Sequence, residues 1–95
     1  MNSNERNDLM GLAEVPVGGR AYVTSIRGSG SVRGRIMAMG LVPGTAVEVL
    51  RRAPMGDPLE IGVKGYNLSL RAVEAAMVVV SLDPPRRPDA GRSGE

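Results

Sequence analysis

Residues 59–70 read LEIGVKGYNLSL, and the spacing of their apolar side chains decides the fold class of the chain. Apolar residues occupy every second position from Leu59 to Val63, which is the period of a half-buried β-strand. Residues 64–67 (KGYN) then favour a tight turn, which returns Leu68 and Leu70 antiparallel to the first strand. The stretch therefore predicts a β-hairpin.

Three more stretches have the composition of strands. Arg20–Ile26 (RAYVTSI) is rich in tyrosine and β-branched residues, and Ala46–Arg52 (AVEVLRR) follows a Pro-Gly turn with valines at alternate positions. Residues 77–82 (MVVVSL) form a nearly continuous apolar run, which predicts a central strand buried on both faces. Glycine and proline divide the chain at short intervals, as is typical of a small all-β fold.

Two short stretches favour helices instead. In residues 31–39 (SVRGRIMAM), Ser31 is suited to the N-cap, and apolar residues recur at helical spacing from Val32. Gly40 stands where a helix needs a terminating residue in the left-handed conformation. Residues 72–76 (AVEAA) predict a single helical turn that leads into the last strand.

Five short strands with one or two short helices predict an all-β, SH3-like barrel, with an OB-type barrel as the structural alternative. We expect this domain to span residues 12–82. Residues 1–11 are polar, and residues 83–95 are rich in proline and arginine, so neither end can bury apolar area that offsets its ordering entropy. Both ends are therefore predicted to be disordered.

The composition excludes most catalytic chemistry, because the 95 residues contain no Cys, His, Trp or Phe. Zinc knuckles, thiolate and imidazole iron sites, cysteine nucleophiles, Ser-His relays and disulfides are all excluded. We therefore expect a protein that is not an enzyme and has neither catalytic residues nor a cofactor. The sequence has no signal-peptide pattern, which predicts a cytoplasmic protein. It also has no run of about 20 apolar residues, so we expect no direct membrane insertion.

Several motifs occur in an order that resembles one known family. Residues 35–44 (RIMAMGLVPG) precede a strand at 46–50 (AVEVL), and residues 52–61 (RAPMGDPLEI) are followed by 65–71 (GYNLSLR). In this order and with these gaps, the motifs look like those of the FeoA family of ferrous-iron transport accessory proteins. The resemblance covers residues 12–82 and neither tail.

The resemblance implies an SH3-like barrel in the cytoplasm that assists the membrane transporter FeoB, whose cytosolic portion carries a G-protein domain. Such a protein is neither a transporter nor a GTPase, and its partner would recruit it to the inner face of the cell membrane. Similar domains form the C-terminal module of iron-dependent repressors, but 95 residues leave no room for the other domains of a repressor.

A contact surface for the partner is predicted from two segments. An exposed Gly/Ser loop beside a short, arginine-bearing helix is suited to docking a protein, and the resemblance points to the same region. An apolar methionine at the tip of a predicted hairpin turn has no core role to explain it. The predicted partner-binding residues are Gly30, Ser31, Arg33, Arg35, Met55 and Asp57.

The sequence predicts no metal site, because its carboxylates are scattered over strands, a turn and a helix and thioethers are poor ligands for Fe(II). Nucleic acid is not an expected partner, since Tyr22 and Tyr66 alone cannot form a stacking track. A modest arginine excess nevertheless keeps a nucleic-acid-binding barrel as an alternative, and a metal-responsive module related to the iron-dependent repressors is another. Open edge strands also leave pairing with a second copy open.

Overall fold

The computed structural model describes residues 9–85, which form a six-stranded antiparallel sheet with two short helices. The strands are Leu9–Gly11 (β1), Arg20–Ile26 (β2), Ala46–Arg52 (β3), Leu59–Val63 (β4), Tyr66–Leu70 (β5) and Val78–Ser81 (β6). The helices are Gly30–Ala38 (α1) and Ala72–Met77 (α2), and Leu12–Glu14 form a 3-10 turn. The strands pair in the order β1-β6-β2-β3-β4-β5, so β1 and β5 are the two edges.

The sheet wraps around a single hydrophobic core, as expected of an SH3-like barrel. Alternate residues of β2, β3 and β4 point into it, while α1, α2 and the 3-10 turn each add a buried residue. The ladder register shifts between Val23 and Ser25 and again between Val49 and Arg51. Irregularities of this kind bend and twist strands, which is how a small sheet closes around its core.

The predicted hairpin is confirmed in detail. Ile61 lies opposite Leu68 and Leu59 lies opposite Leu70, so the apolar side chains of both strands share the inner face. Lys64 and Gly65 form the turn, and Gly65 has a φ of 89°, a left-handed conformation that glycine adopts without steric cost. The bounds predicted for β2 and β3 are confirmed as well.

The prediction of disorder is wrong for residues 9–11. Leu9–Gly11 form the strand β1, in which Leu9 pairs with Ser81 and Gly11 with Val79, so the sheet has six strands and not five. A three-residue strand is too short to show an alternating apolar pattern in the sequence. Its hydrogen-bond partners lie in β6, at the other end of the chain. Residues 1–8 and 86–95, also predicted to be disordered, lie outside the described residues.

Two further expectations need correction. The last strand is buried on one face only: Val78 and Val80 are inaccessible, whereas Val79 and Ser81 are partly exposed, because the described residues place no second layer over the outer face. Helix α1 begins at Gly30 and not at the predicted N-cap Ser31, since Gly30 takes a left-handed φ of 61° that turns the chain into the helix.

The end of α1 is fixed by contacts to a distant strand. Gly40 has a φ of 103°, and its N–H donates to the Met37 carbonyl at 2.9 Å. The Tyr66 hydroxyl, from the start of β5, donates to the Met39 carbonyl at 2.7 Å. The predicted helix stop is therefore confirmed, and it also joins α1 to the hairpin.

The two glycines of α1 should respond oppositely to alanine. A Cβ at Gly34 or at Gly30 meets no atom within 4 Å, but only Gly30 has a positive φ. Gly34→Ala should raise the free energy of unfolding by about 0.5 to 1 kcal/mol and the Tm by about 2 to 8 °C, because alanine loses less backbone entropy in a helix. Gly30→Ala, the matched control, should lower the Tm. Thermal unfolding followed by circular dichroism measures both, and shifts of the same sign would contradict the assignment.

Candidate partner-binding surface

The structure exposes every residue of the predicted contact surface and divides them between two segments. Gly30, Ser31, Arg33 and Arg35 lie on α1, while Met55 and Asp57 lie in the loop between β3 and β4. The Met55 side chain is 89% exposed, so it takes no part in the core.

The loop that carries Met55 is a tight turn closed by backbone hydrogen bonds. The Ala53 N–H donates to the Pro58 carbonyl at 3.0 Å, and the Gly56 N–H donates to the Ala53 carbonyl at 2.7 Å. Gly56 has a φ of 87°, which a side chain would strain. The backbone thus holds Met55 at the tip, where its side chain projects into solvent.

Helix α2 joins the two segments. Glu74 accepts a hydrogen bond from the Arg35 guanidinium at 2.9 Å, and its second carboxylate oxygen accepts the Arg71 N–H at 3.0 Å. From the other side, the Asp57 carboxylate accepts the Ala72 N–H at 2.9 Å. These carboxylates satisfy N–H groups that a helix N-terminus leaves without partners, and they are favourably placed at its positive end. The first turn of α2 therefore holds α1 and the β3–β4 loop on one side of the barrel.

The charges of this surface differ in how they are compensated. Arg35 forms an ion pair with Glu74, whose side chain is only 13% exposed, and the Asp57 carboxylate is engaged by a backbone amide. Arg33 has no ion-pair partner among residues 9–85 and is exposed. Of the predicted charged residues, Arg33 is thus the one most available to an acidic group on another molecule.

One residue of this region was not predicted from the sequence. Val73, in the first turn of α2, is 62% exposed and follows the amide that Asp57 binds. Met55 lies two residues before Asp57, so each of the two segments joined by this hydrogen bond carries an exposed apolar residue. A helix of six residues is too short for its sequence spacing to show which face is exposed, and only the apolar nature of Val73 could have drawn attention to it.

The exposed side chains of this surface include two arginines, one carboxylate and one methionine. Ser31 hydrogen-bonds to no base in the described part of the chain, and a serine without such a base is a weak nucleophile. Residues 9–85 also contain no group of three or more carboxylates placed to hold a metal ion. Within the same residues, no helix has the length and apolar character needed to cross a membrane.

A six-stranded antiparallel sheet closed around one core, with two short helices, defines the class of small SH3-like barrel domains. A model of the FeoA domain family matches residues 10–82, which is nearly the whole of the described barrel. The chain belongs to the FeoA family.

Individual relatives agree with this assignment. A fusion protein of Fe(2+) transport protein A and the Fe(2+) transporter FeoB from Porphyromonas gingivalis is 38% identical over 73 residues, which are 77% of this chain and 9% of that relative's length. A FeoA-like protein from Clostridium acetobutylicum superposes with a TM-score of 0.74 at 38% identity, covering 84% of this chain and 93% of its own. The FeoA of Stenotrophomonas maltophilia, described as a procaryotic SH3 domain protein and solved in complex with zinc, has a TM-score of 0.68 at 32% identity, covering 76% of this chain and 89% of its own.

Proposed function

We propose that this chain is a non-enzymatic accessory protein of ferrous iron uptake that binds a FeoB-type transporter. The observation that carries the proposal is the Porphyromonas gingivalis relative, in which a segment 38% identical to this chain is part of one polypeptide with FeoB. Covalent linkage holds two domains at a high effective concentration, which favours domains that work in contact. The same contact in this protein brings the barrel to the inner face of the cell membrane.

The proposed contact surface comprises Gly30, Ser31, Arg33 and Arg35 of α1 together with Met55 and Asp57 of the β3–β4 loop. Exposed apolar side chains flanked by charge are the usual composition of a protein interface, with the apolar groups at its centre. Met55 and Val73 provide that centre, and Arg33 provides a charge at its border. The partner is the cytosolic G-protein domain of the transporter, on an acidic patch that Arg33 meets.

Reversing the charge of Arg33 tests the surface. Arg33→Glu should weaken binding to the full-length transporter, reconstituted in nanodiscs, by about tenfold, because an attractive charge at the border becomes a repulsive one. Surface plasmon resonance with the immobilised transporter measures the affinity. The control is Arg20→Glu, a reversal at an exposed arginine that begins β2 and lies outside both segments of the proposed surface. Because Arg20 pairs with Glu48 at 3.9 Å, the Tm of each variant is measured as well.

The two variants separate the parts of the proposal. If the wild-type chain does not bind the transporter, the proposed function is wrong. If the wild type binds and both variants bind equally well, the function stands and the surface is wrong. If Arg33→Glu loses binding and Arg20→Glu does not, the result supports both the proposed function and the proposed surface.

A further inference from the structure

The strand β5 is an open edge of the sheet whose outward hydrogen-bonding groups have no partner among residues 9–85. Its hairpin closes with Val63 opposite Tyr66, and the closing pair of a two-residue turn is hydrogen-bonded. Because antiparallel ladders alternate bonded and non-bonded pairs, Asn67 and Ser69 direct their N–H and C=O groups away from β4. Neither backbone forms a hydrogen bond elsewhere in the described residues.

This edge lacks the features that usually prevent strands from pairing. Between Lys64 and Arg71, residues 66–70 (YNLSL) contain no charged residue and no proline, and the side chains of Asn67 and Ser69 are exposed. Edge strands are normally protected by charges, prolines or a covering segment. The open edge can therefore accept an additional strand.

The charges at its two ends indicate what kind of strand fits. Lys64 and Arg71 bracket the edge, both are exposed, and neither has an ion-pair partner among residues 9–85. A second copy paired antiparallel about Leu68 would place Lys64 of one molecule beside Arg71 of the other, which brings like charges together. A strand with acidic residues at both ends meets a cation at each end, whichever direction it runs.

A shallow groove beside this edge adds an apolar component. It crosses the outer face of the sheet, and its lining includes Leu50, Gly62 and Asn67. Because Gly62 has no side chain, the Leu50 side chain packs close to the β4 backbone. A Cβ built on Gly62 would lie 3.3 Å from the Leu50 side chain. Side chains of an added strand that point to the outer face would lie beside this groove, so apolar residues at alternate positions fit there.

From these features we propose that the β5 edge binds an extended, acidic segment of a partner protein by strand addition. Asn67 and Ser69 provide the backbone hydrogen bonds, while Lys64 and Arg71 select the acidic ends. This site adjoins the surface proposed for the transporter at Arg71, but its test uses a peptide and does not depend on that proposal.

The experiment titrates the 15N-labelled full chain with the peptide acetyl-EVTVTD-amide and follows the amide resonances by NMR. Saturable shifts are expected at Asn67 and Ser69, with the binding weakened severalfold by about 0.5 M NaCl. Asn67→Pro should weaken binding by at least about tenfold relative to its control Asn67→Ala, because proline removes one outward N–H and no bond of the β4–β5 ladder. The charge-reversed peptide acetyl-KVTVTK-amide should bind far more weakly.

Three results would overturn the proposal: no saturation at about 5 mM peptide, equal binding of the proline and alanine variants, or equal binding of the basic peptide. A dimer seen by sedimentation without peptide, and absent in Asn67→Pro, would also overturn it and assign the edge to a second copy. If Asn67→Pro does not fold, a peptide N-methylated at the amides facing β5 replaces it. That peptide must lose the binding, or the proposal is wrong.

Discussion

Replacing Ile36 by alanine is expected to lower the free energy of unfolding by about 3 to 4 kcal/mol. Ile36 is completely inaccessible and is the fully buried residue of α1, while the helix's other apolar side chains, such as Val32, are only partly buried against the core. Removing it leaves a cavity under a helix whose other attachments are partly buried side chains and the exposed hydrogen bonds of Arg35 and Tyr66. A domain of this size is stable by about 4 to 10 kcal/mol, so the loss is a large fraction of the total.

Urea unfolding of the full chain measures this effect, with Ile36→Val as an intermediate that should cost about 0.5 to 1.5 kcal/mol. The control is Val73→Ala, since Val73 is 62% exposed and its truncation should change stability by less than about 0.5 kcal/mol. A loss below about 1 kcal/mol for Ile36→Ala would mean that α1 is held by contacts other than its buried residue.

Gly40→Ala is expected to cost about 2 to 3 kcal/mol, from two sources. With a φ of 103°, Gly40 is in a conformation that a Cβ strains. The added Cβ would also stand in the place of the Tyr66 hydroxyl, which donates to the Met39 carbonyl at 2.7 Å. The substitution therefore strains the end of α1 and displaces its link to β5.

A double-mutant cycle separates the two sources. In a Tyr66→Ala background the collision is absent, so Gly40→Ala should cost only about 1 to 2 kcal/mol from backbone strain, with the difference appearing as coupling between the residues. Urea unfolding of the four proteins gives the coupling energy. Strictly additive effects would show that Tyr66 does not limit the space at Gly40.

The local elements of this fold could be predicted from the sequence because their signals are local. The alternation of apolar residues predicts the β4–β5 hairpin. Gly40 predicts the end of α1, because glycine adopts the positive φ found there. The membership in the FeoA family could also be predicted, because its motifs follow each other along the barrel in order. These features need no knowledge of which elements meet in space.

The features that could not be predicted depend on contacts between elements that are distant in the sequence. Leu9–Gly11 become a strand only because β6 offers an edge, and β6 itself is half-exposed because the sheet has a single buried face. Nothing in the sequence shows that Tyr66 reaches the end of α1 or that Asp57 and Glu74 gather around one helix turn. The set of partner-binding residues stays a prediction, to which the structure adds Val73.

The hydrogen bonds that tie α2 to α1 and to the β3–β4 loop span 39 and 15 residues of sequence. During synthesis, α1 and the loop are made before Arg71, Ala72 and Glu74, so neither segment can be held in place by these hydrogen bonds until α2 has been added. The proposed surface is therefore assembled only when synthesis of the barrel is almost finished. A truncated translation product that ends before α2 would lack the hydrogen bonds that hold α1 and the β3–β4 loop together.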